Sequence, residues 1–158
     1  MDPRQLWAPW RASYVSQPAA PAVGPAVNLL PGGEATCFLC RGAADTSDRS
    51  NLLLSRGQHV LTMLNRYPYN AGHLLVAPLS HKGGLAELSP AEQTEIWETI
   101  TRMCDVATQT MHPDGFNVGL NLGRAAGAGL PGHLHWHLVP RWNGDQNFMP
   151  VLADTHVI

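Results

Sequence analysis

Three of the chain's eight histidines, His133, His135 and His137, stand at every second position of GHLHWHLVPRW. Side chains two residues apart lie on one face of an extended strand, so the run presents a row of imidazoles with Leu134, Trp136 and Leu138 as an apolar row behind them. A lone histidine there reads as part of a solvated strand face. Three in strict alternation, directly after the glycine-rich GRAAGAGLPG, read as a site. Two chemistries use such a row. Neutral imidazoles at alternate strand positions bind a metal ion. Otherwise one imidazole attacks phosphorus while its neighbours and loop N–H groups hold the phosphate oxygens. Cys37 and Cys40, in CFLC, form a second motif; three cysteines cannot pair evenly, and the spacing suits a metal better than a secreted disulfide framework. Cys104 is left over, with the character of a small buried apolar residue.

These residues need elements to hold them, and a chain of 158 residues that is 44% hydrophobic carries enough apolar material for one ordinary domain. Residues 16–34 are rich in Pro, Ala and Gly without helical or strand period, which describes a flexible connector. The expected organisation is an N-terminal segment and connector over 1–36, bearing Trp7, Trp10 and Tyr14, and one domain over 37–158. HVLTMLN (59–65) and HLLVAP (73–78) are strand-length apolar runs joined by the turn residues of RYPYNAG. The long helix begins at Ser89 as N-cap, with Pro90 in the first helical position and Glu92 completing a capping box. Ile96, Ile100, Met103, Ala107 and Met111 then recur on one helical stripe. GFNVGLNL (115–122) alternates as a third strand before the histidine run. The fold class that follows is α+β with a mainly antiparallel sheet.

Ten basic against twelve acidic residues leave a formal charge of -2, without the basic field that a nucleic-acid polymer demands. No stretch approaches the roughly 18 apolar residues of a membrane span, and the start lacks the pattern of a signal peptide. The expected location is the cytoplasm, with no membrane partner.

HLHWHLVP matches the His-x-His-x-His-x-x pattern, with apolar x, of the histidine triad (HIT) nucleotide-binding proteins. The chain resembles their diadenosine tetraphosphate phosphorylase and hydrolase branch, which has a zinc site, through LW.P.R, LN.YPYN.GH, GFNVGLNLG and HLH.H.VPRW.GD.NF. The likeness covers residues 4–12 and nearly all of 37–150. It implies a HIT-like fold with a five-stranded, mainly antiparallel sheet, one long helix and one short helix. It implies that His135 is the nucleophile and becomes a nucleotidyl-histidine, that His137 contacts the α-phosphate oxygens and that His73 accompanies them. Asn65 would bind the ribose hydroxyls, its other reading being a turn-forming residue at a strand end. Asn121, Gly127 and Gly129 belong to the loop that would hold phosphates. Cys37, Cys40, His81 and His133 would bind one zinc ion; two thiolates and two imidazoles make a closed tetrahedral set, hence structural rather than catalytic. His59, His112 and His156 match none of these roles.

The chain departs from the pattern where relatives with phosphorylase character read GGSLAEH and it reads GAGLPGH. Gly129 stands for a serine and Gly132 for an acidic residue, which removes a hydroxyl donor to phosphate. The implied function is cleavage of dinucleoside polyphosphates by a homodimer acting on adenine nucleotides. The alternatives are a purine nucleoside phosphoramidase, a nucleotide-binding sensor with weak activity, and a hydrolase using the three histidines as a catalytic metal site.

Overall fold

The computed structural model describes residues 27–145. Trp7, Trp10, Tyr14 and His156, and residues 16–26 of the expected connector, lie outside the described residues. Residues 27–34 contain no helix or strand, and Leu29 packs against the core.

Five strands make one sheet in the order β1-β2-β3-β5-β4: β1 (Leu53–Arg56), β2 (Val60–Leu64), β3 (Leu74–Pro78), β4 (Gly115–Leu120) and β5 (Trp136–Arg141). Every pairing is antiparallel. Two helices flank the sheet, α1 (Phe38–Ala44) and α2 (Pro90–Met111). The architecture is therefore the expected α+β one. β1 is an addition to the strands read from periodicity, and β4 stops at Leu120 rather than residue 122.

Strand alternation divides the core into two layers. Val60, Leu74, Val76, Trp136 and Leu138 pack with Ile96, Ile100 and Met103 of α2. Leu61, Met63, Leu75 and Ala77 point the other way and pack with Cys37, Leu39, Cys40 and Ala43 at α1. Leu39, Leu61 and Leu138 are wholly buried, each stabilising the fold by about 2 kcal/mol.

α2 starts as its sequence dictates. The Glu92 N–H donates to the Ser89 hydroxyl at 3.3 Å, and the Ser89 N–H donates to the Glu92 carboxylate at 2.7 Å. Ile96, Ile100, Met103 and Ala107 of the stripe are buried; Met111, in the last turn, is only half-buried. Cys104 packs against the α2-side core as a small apolar residue but is half-buried rather than buried. Among the described residues no helix is long and apolar enough to cross a membrane.

The histidine run is not one continuous strand. β5 begins only at Trp136, with His133 in a bend and His135 in the approach to the strand. The β3–β5 ladder reaches Val76↔Trp136 and stops. Beyond that point the Pro78 carbonyl lies 2.9 Å from the His133 ring, and the Leu134 N–H donates to the Lys82 carbonyl at 2.7 Å. Side-chain and loop bonds thus replace the ladder.

Candidate functional site

Cys37 is the N-cap of α1, and its Sγ accepts the Cys40 N–H at 3.5 Å, so the first helical turn holds the two thiols together. His81 lies in the segment after β3 and His133 in the bend before β5. The ligand atoms of Cys37, Cys40, His81 and His133 all lie within 4.8 Å of one another. Cys37 Sγ is 3.3 Å and Cys40 Sγ 3.5 Å from His133 Nδ1, and Cys40 Sγ is 3.2 Å from His81 Nδ1. The Pro78 carbonyl can only accept, so His133 Nε2 carries the proton and Nδ1 turns its lone pair to the thiols. Burial pushes the Cys37 thiol up to about 12 despite the amide bonds to its sulfur. Burial likewise pushes His133 down to about 4, aided by His81 and His135 and opposed by the Pro78 carbonyl. The set is a soft, buried S2N2 donor group whose bare imidazole nitrogen is already oriented. A borderline-soft divalent cation that displaces the thiol protons fits it. Gly132 leaves room there, since a Cβ would stand 3.3 Å from His81 Nε2.

His135 is 7% exposed and its Nδ1 lies 2.8 Å from the His133 carbonyl. That bond requires the proton on Nδ1, so Nε2 of the neutral ring bears the lone pair. Burial lowers the His135 pKa, the backbone bond opposing it only in part. The neighbouring imidazoles form a second chain of defined polarity. The Tyr69 N–H donates to His73 Nδ1 at 3.0 Å, which leaves the proton of neutral His73 on Nε2, 2.9 Å from His137 Nδ1. His137 accepts there, so its remaining proton sits on Nε2. A lone pair on His135 and an N–H on His137 are thereby placed on adjacent rings, 5.1 Å between centroids. Tyr69 stacks on His73 at 5.0 Å and 16°.

His137 pairs across the sheet with Leu75 on one side and Gly119 on the other. Cross-strand partners share a face, so His137 lies on the α1 side of the sheet. An ideal Cβ on Gly119 would meet nothing within 4 Å, so this glycine leaves open space beside His137. Asn65 fits its turn-forming reading and lies beside His73. Its Oδ1 accepts the Tyr67 N–H at 2.9 Å, a turn bond, and its Nδ2 is 3.4 Å from His73. Asn121 reaches the Gly127 carbonyl from its Nδ2 at 3.4 Å. Gly127 has φ +83° and Gly123 φ +77°, left-handed conformations that favour glycine, while Gly129 is exposed in the same loop. His59 donates its backbone N–H to Glu95, and His112 ends α2 with φ 49°. Two surface depressions flank α2, one lined by His59, Glu95 and Glu98 and one by Leu88, Trp97, Leu120 and Trp136. Neither holds a triad histidine; His137 lies on the opposite side of the sheet. Tyr69, Gly119 and the Glu92–Lys82 pair were not singled out for the site from sequence. Tyr69 in YPYN and Gly119 in GFNVGLNL stand inside quoted motifs, whereas the Glu92–Lys82 pair carries no readable signal.

A family model described as HIT domain matches residues 48–144. The chain is 37% identical over 155 residues to the AP-4-A phosphorylase of Mycobacterium tuberculosis, covering 98% of this chain and 76% of that protein. It is 30% identical over 82 residues to the asymmetrical bis(5'-nucleosyl)-tetraphosphatase of Schizosaccharomyces pombe, covering 52% of this chain and 44% of the relative. Among solved structures, a Zn-bound histidine triad family protein from Mycobacterium smegmatis superposes with a TM-score of 0.55 at 31% identity, covering 60% of this chain and 68% of that one.

Proposed function

The chain belongs to the HIT domain family, whose model spans its histidine run, and on that premise we propose that it cleaves dinucleoside polyphosphates through a covalent nucleotidyl-histidine on His135. The observation that carries the reading is the 2.8 Å bond from His135 Nδ1 to the His133 carbonyl, which leaves Nε2 as a bare nucleophile. In the first step that lone pair forms a P–N bond to the α-phosphorus while the P–O bond to the departing polyphosphate breaks. His137 Nε2–H and the loop of Asn121, Gly127 and Gly129 stabilise the charge on the phosphate oxygens, and Asn65 takes the ribose. In the second step an acceptor oxygen attacks the same phosphorus and the P–N bond returns its electrons to His135. The names of the Mycobacterium tuberculosis and Schizosaccharomyces pombe relatives support this substrate class, and the first suggests an adenine nucleotide.

Zinc fits Cys37, Cys40, His81 and His133, and a Zn-bound structure of similar fold supports zinc as the ion. Bound there it would supply coordination bonds tying α1 to the segment after β3, a structural contribution. The proposed unit is a cytoplasmic homodimer whose domain runs over 37–158, after a connector segment over 1–36.

The test is product analysis of diadenosine tetraphosphate turnover with and without inorganic phosphate. Attack by phosphate gives ADP and ATP; attack by water gives AMP and ATP. The AMP outcome is favoured by one observation, the absence of a hydroxyl at Gly129; the Mycobacterium tuberculosis relative favours ADP, which is the expected product. Absence of any cleavage overturns the proposal.

A further inference from the structure

Glu92 does more than close the capping box of α2. It is 5% exposed, and its two carboxylate oxygens make four contacts with three donors: the Ser89 N–H at 2.7 Å, the Ser80 hydroxyl at 2.5 Å, and Lys82 Nζ at 2.6 and 2.9 Å. A capping box needs only the first of these. Ser80 and Lys82 are the immediate neighbours of His81. The same short segment reaches the histidine run at three further points. The Pro78 carbonyl orients the His133 ring, the Lys82 carbonyl accepts the Leu134 N–H at 2.7 Å, and a Cβ on Gly83 would lie 3.3 Å from the Pro131 carbonyl. Residues 78–83 are therefore fastened to the helix on one side and to the metal ligand and nucleophile run on the other. Side chains at 80 and 82 both turn to Glu92, which sends the intervening His81 ring away from α2, toward Cys40 and His133.

The geometry points to Glu92 as a positioning residue: gripping Ser80 and Lys82, it holds His81 in the metal set and fixes the segment on which His133 is oriented. This rests on the zinc reading above. Outer partners of metal ligands act by limiting the orientations a ligand samples, and losing one lowers metal affinity by about 10- to 100-fold. A Gln at position 92 keeps the shape, but its amide nitrogen donates and cannot accept, so whichever carboxylate oxygen it replaces leaves its donors without an acceptor.

The experiment measures zinc affinity of the full chain by competition with a chromogenic chelator, together with melting with and without zinc. Glu92→Gln is expected to bind zinc about 10- to 100-fold more weakly, and the melting gap between zinc-loaded and zinc-free protein should narrow. A helix cap alone would lower both melting temperatures equally and leave zinc affinity unchanged, and that result overturns the inference. The double variant Lys82→Met, Glu92→Gln removes the buried charge along with its partner, a change that often leaves stability intact. It should regain melting temperature without regaining zinc affinity; recovery of both overturns the inference. Should Glu92→Gln not fold, Ser80→Ala is read in its place, weaker zinc binding being expected and unchanged binding overturning the inference. Wild-type protein that binds no zinc overturns this inference together with the zinc reading, whereas wild-type zinc binding with indifferent variants overturns this one alone.

Discussion

The reactivity proposed for His135 rests on a carbonyl two residues back. The His133 carbonyl takes the Nδ1 proton at 2.8 Å, while the ring of His133 is itself turned by the Pro78 carbonyl at 2.9 Å. In the proposed mechanism one histidine would thus serve as a metal ligand through its side chain and set the tautomer of His135 through its backbone. Replacing His135 with Ala removes the only atom in this arrangement with its lone pair so presented. Turnover should fall by about four orders of magnitude or more, while nucleotide affinity by equilibrium binding stays within a few-fold. An unchanged rate would overturn the covalent mechanism. His73 acts at one remove. Its Nε2–H holds His137 Nδ1 at 2.9 Å and so keeps the His137 proton on the nitrogen that would face phosphate. His73→Phe keeps the stacked ring but removes the bond, so kcat should drop by about a hundredfold with His135 still able to accept one nucleotide in a single-turnover assay.

α2 reaches the site through its first turn. Burial alone would raise the Glu92 carboxyl, but bonds from Lys82, Ser80 and Ser89 outweigh it and hold the group at about 2, below its ordinary 4.5. Between those values the unfolded chain binds the extra proton, so this carboxylate's contribution is complete above about pH 4.5 and is lost as pH falls toward about 2. Urea midpoints at pH 6 and pH 3 should therefore differ less in Glu92→Gln than in wild type; equal differences would show that the bonds do not perturb the carboxyl. The helix itself was legible because period and caps are local signals, and Ser89, Pro90 and Glu92 are adjacent in sequence. β1 was not legible from periodicity: it has four residues, only Leu53 of them buried, and its register shifts between Leu53 and Ser55. The grip of Glu92 on Lys82 was equally hidden, because a contact ten residues away has no local pattern. In the candidate site the side chains of the triad and CFLC could be read as spacing. Tautomers set by the backbone of Pro78, His133 and Tyr69 could not, since any residue supplies a carbonyl or an amide.

Across the whole molecule, the two faces of the sheet carry separate tasks, and each exposes a weakness that a partner would relieve. On the α1 side the core layer includes the buried Cys37 and Cys40, so metal and packing are coupled. At free zinc a thousandfold above Kd the ion stabilises the fold by about 4 kcal/mol, and chelation or Cys37→Ser should lower the melting temperature by roughly 10 °C. Full zinc content and unchanged melting in Cys37→Ser would remove Cys37 from the set. Among the described residues β4 is a sheet edge, paired only with β5. Beside it Trp97 is 60% exposed and shares a depression with Leu85, Leu88, Leu120 and Trp136. Leu120 belongs to β4, so the open strand edge and the apolar depression are continuous. Unpaired edges and apolar patches of this kind invite association unless covered. A second copy of the chain would cover both at once, and light scattering at micromolar concentration should then give a mass near twice the 17.1 kDa of one chain. Trp97→Lys places a charge in the depression while leaving the α1-side site untouched, and should shift that mass toward the single chain without loss of zinc. A wild-type mass of one chain removes the dimer, and a Trp97→Lys protein that stays dimeric moves the interface to another face.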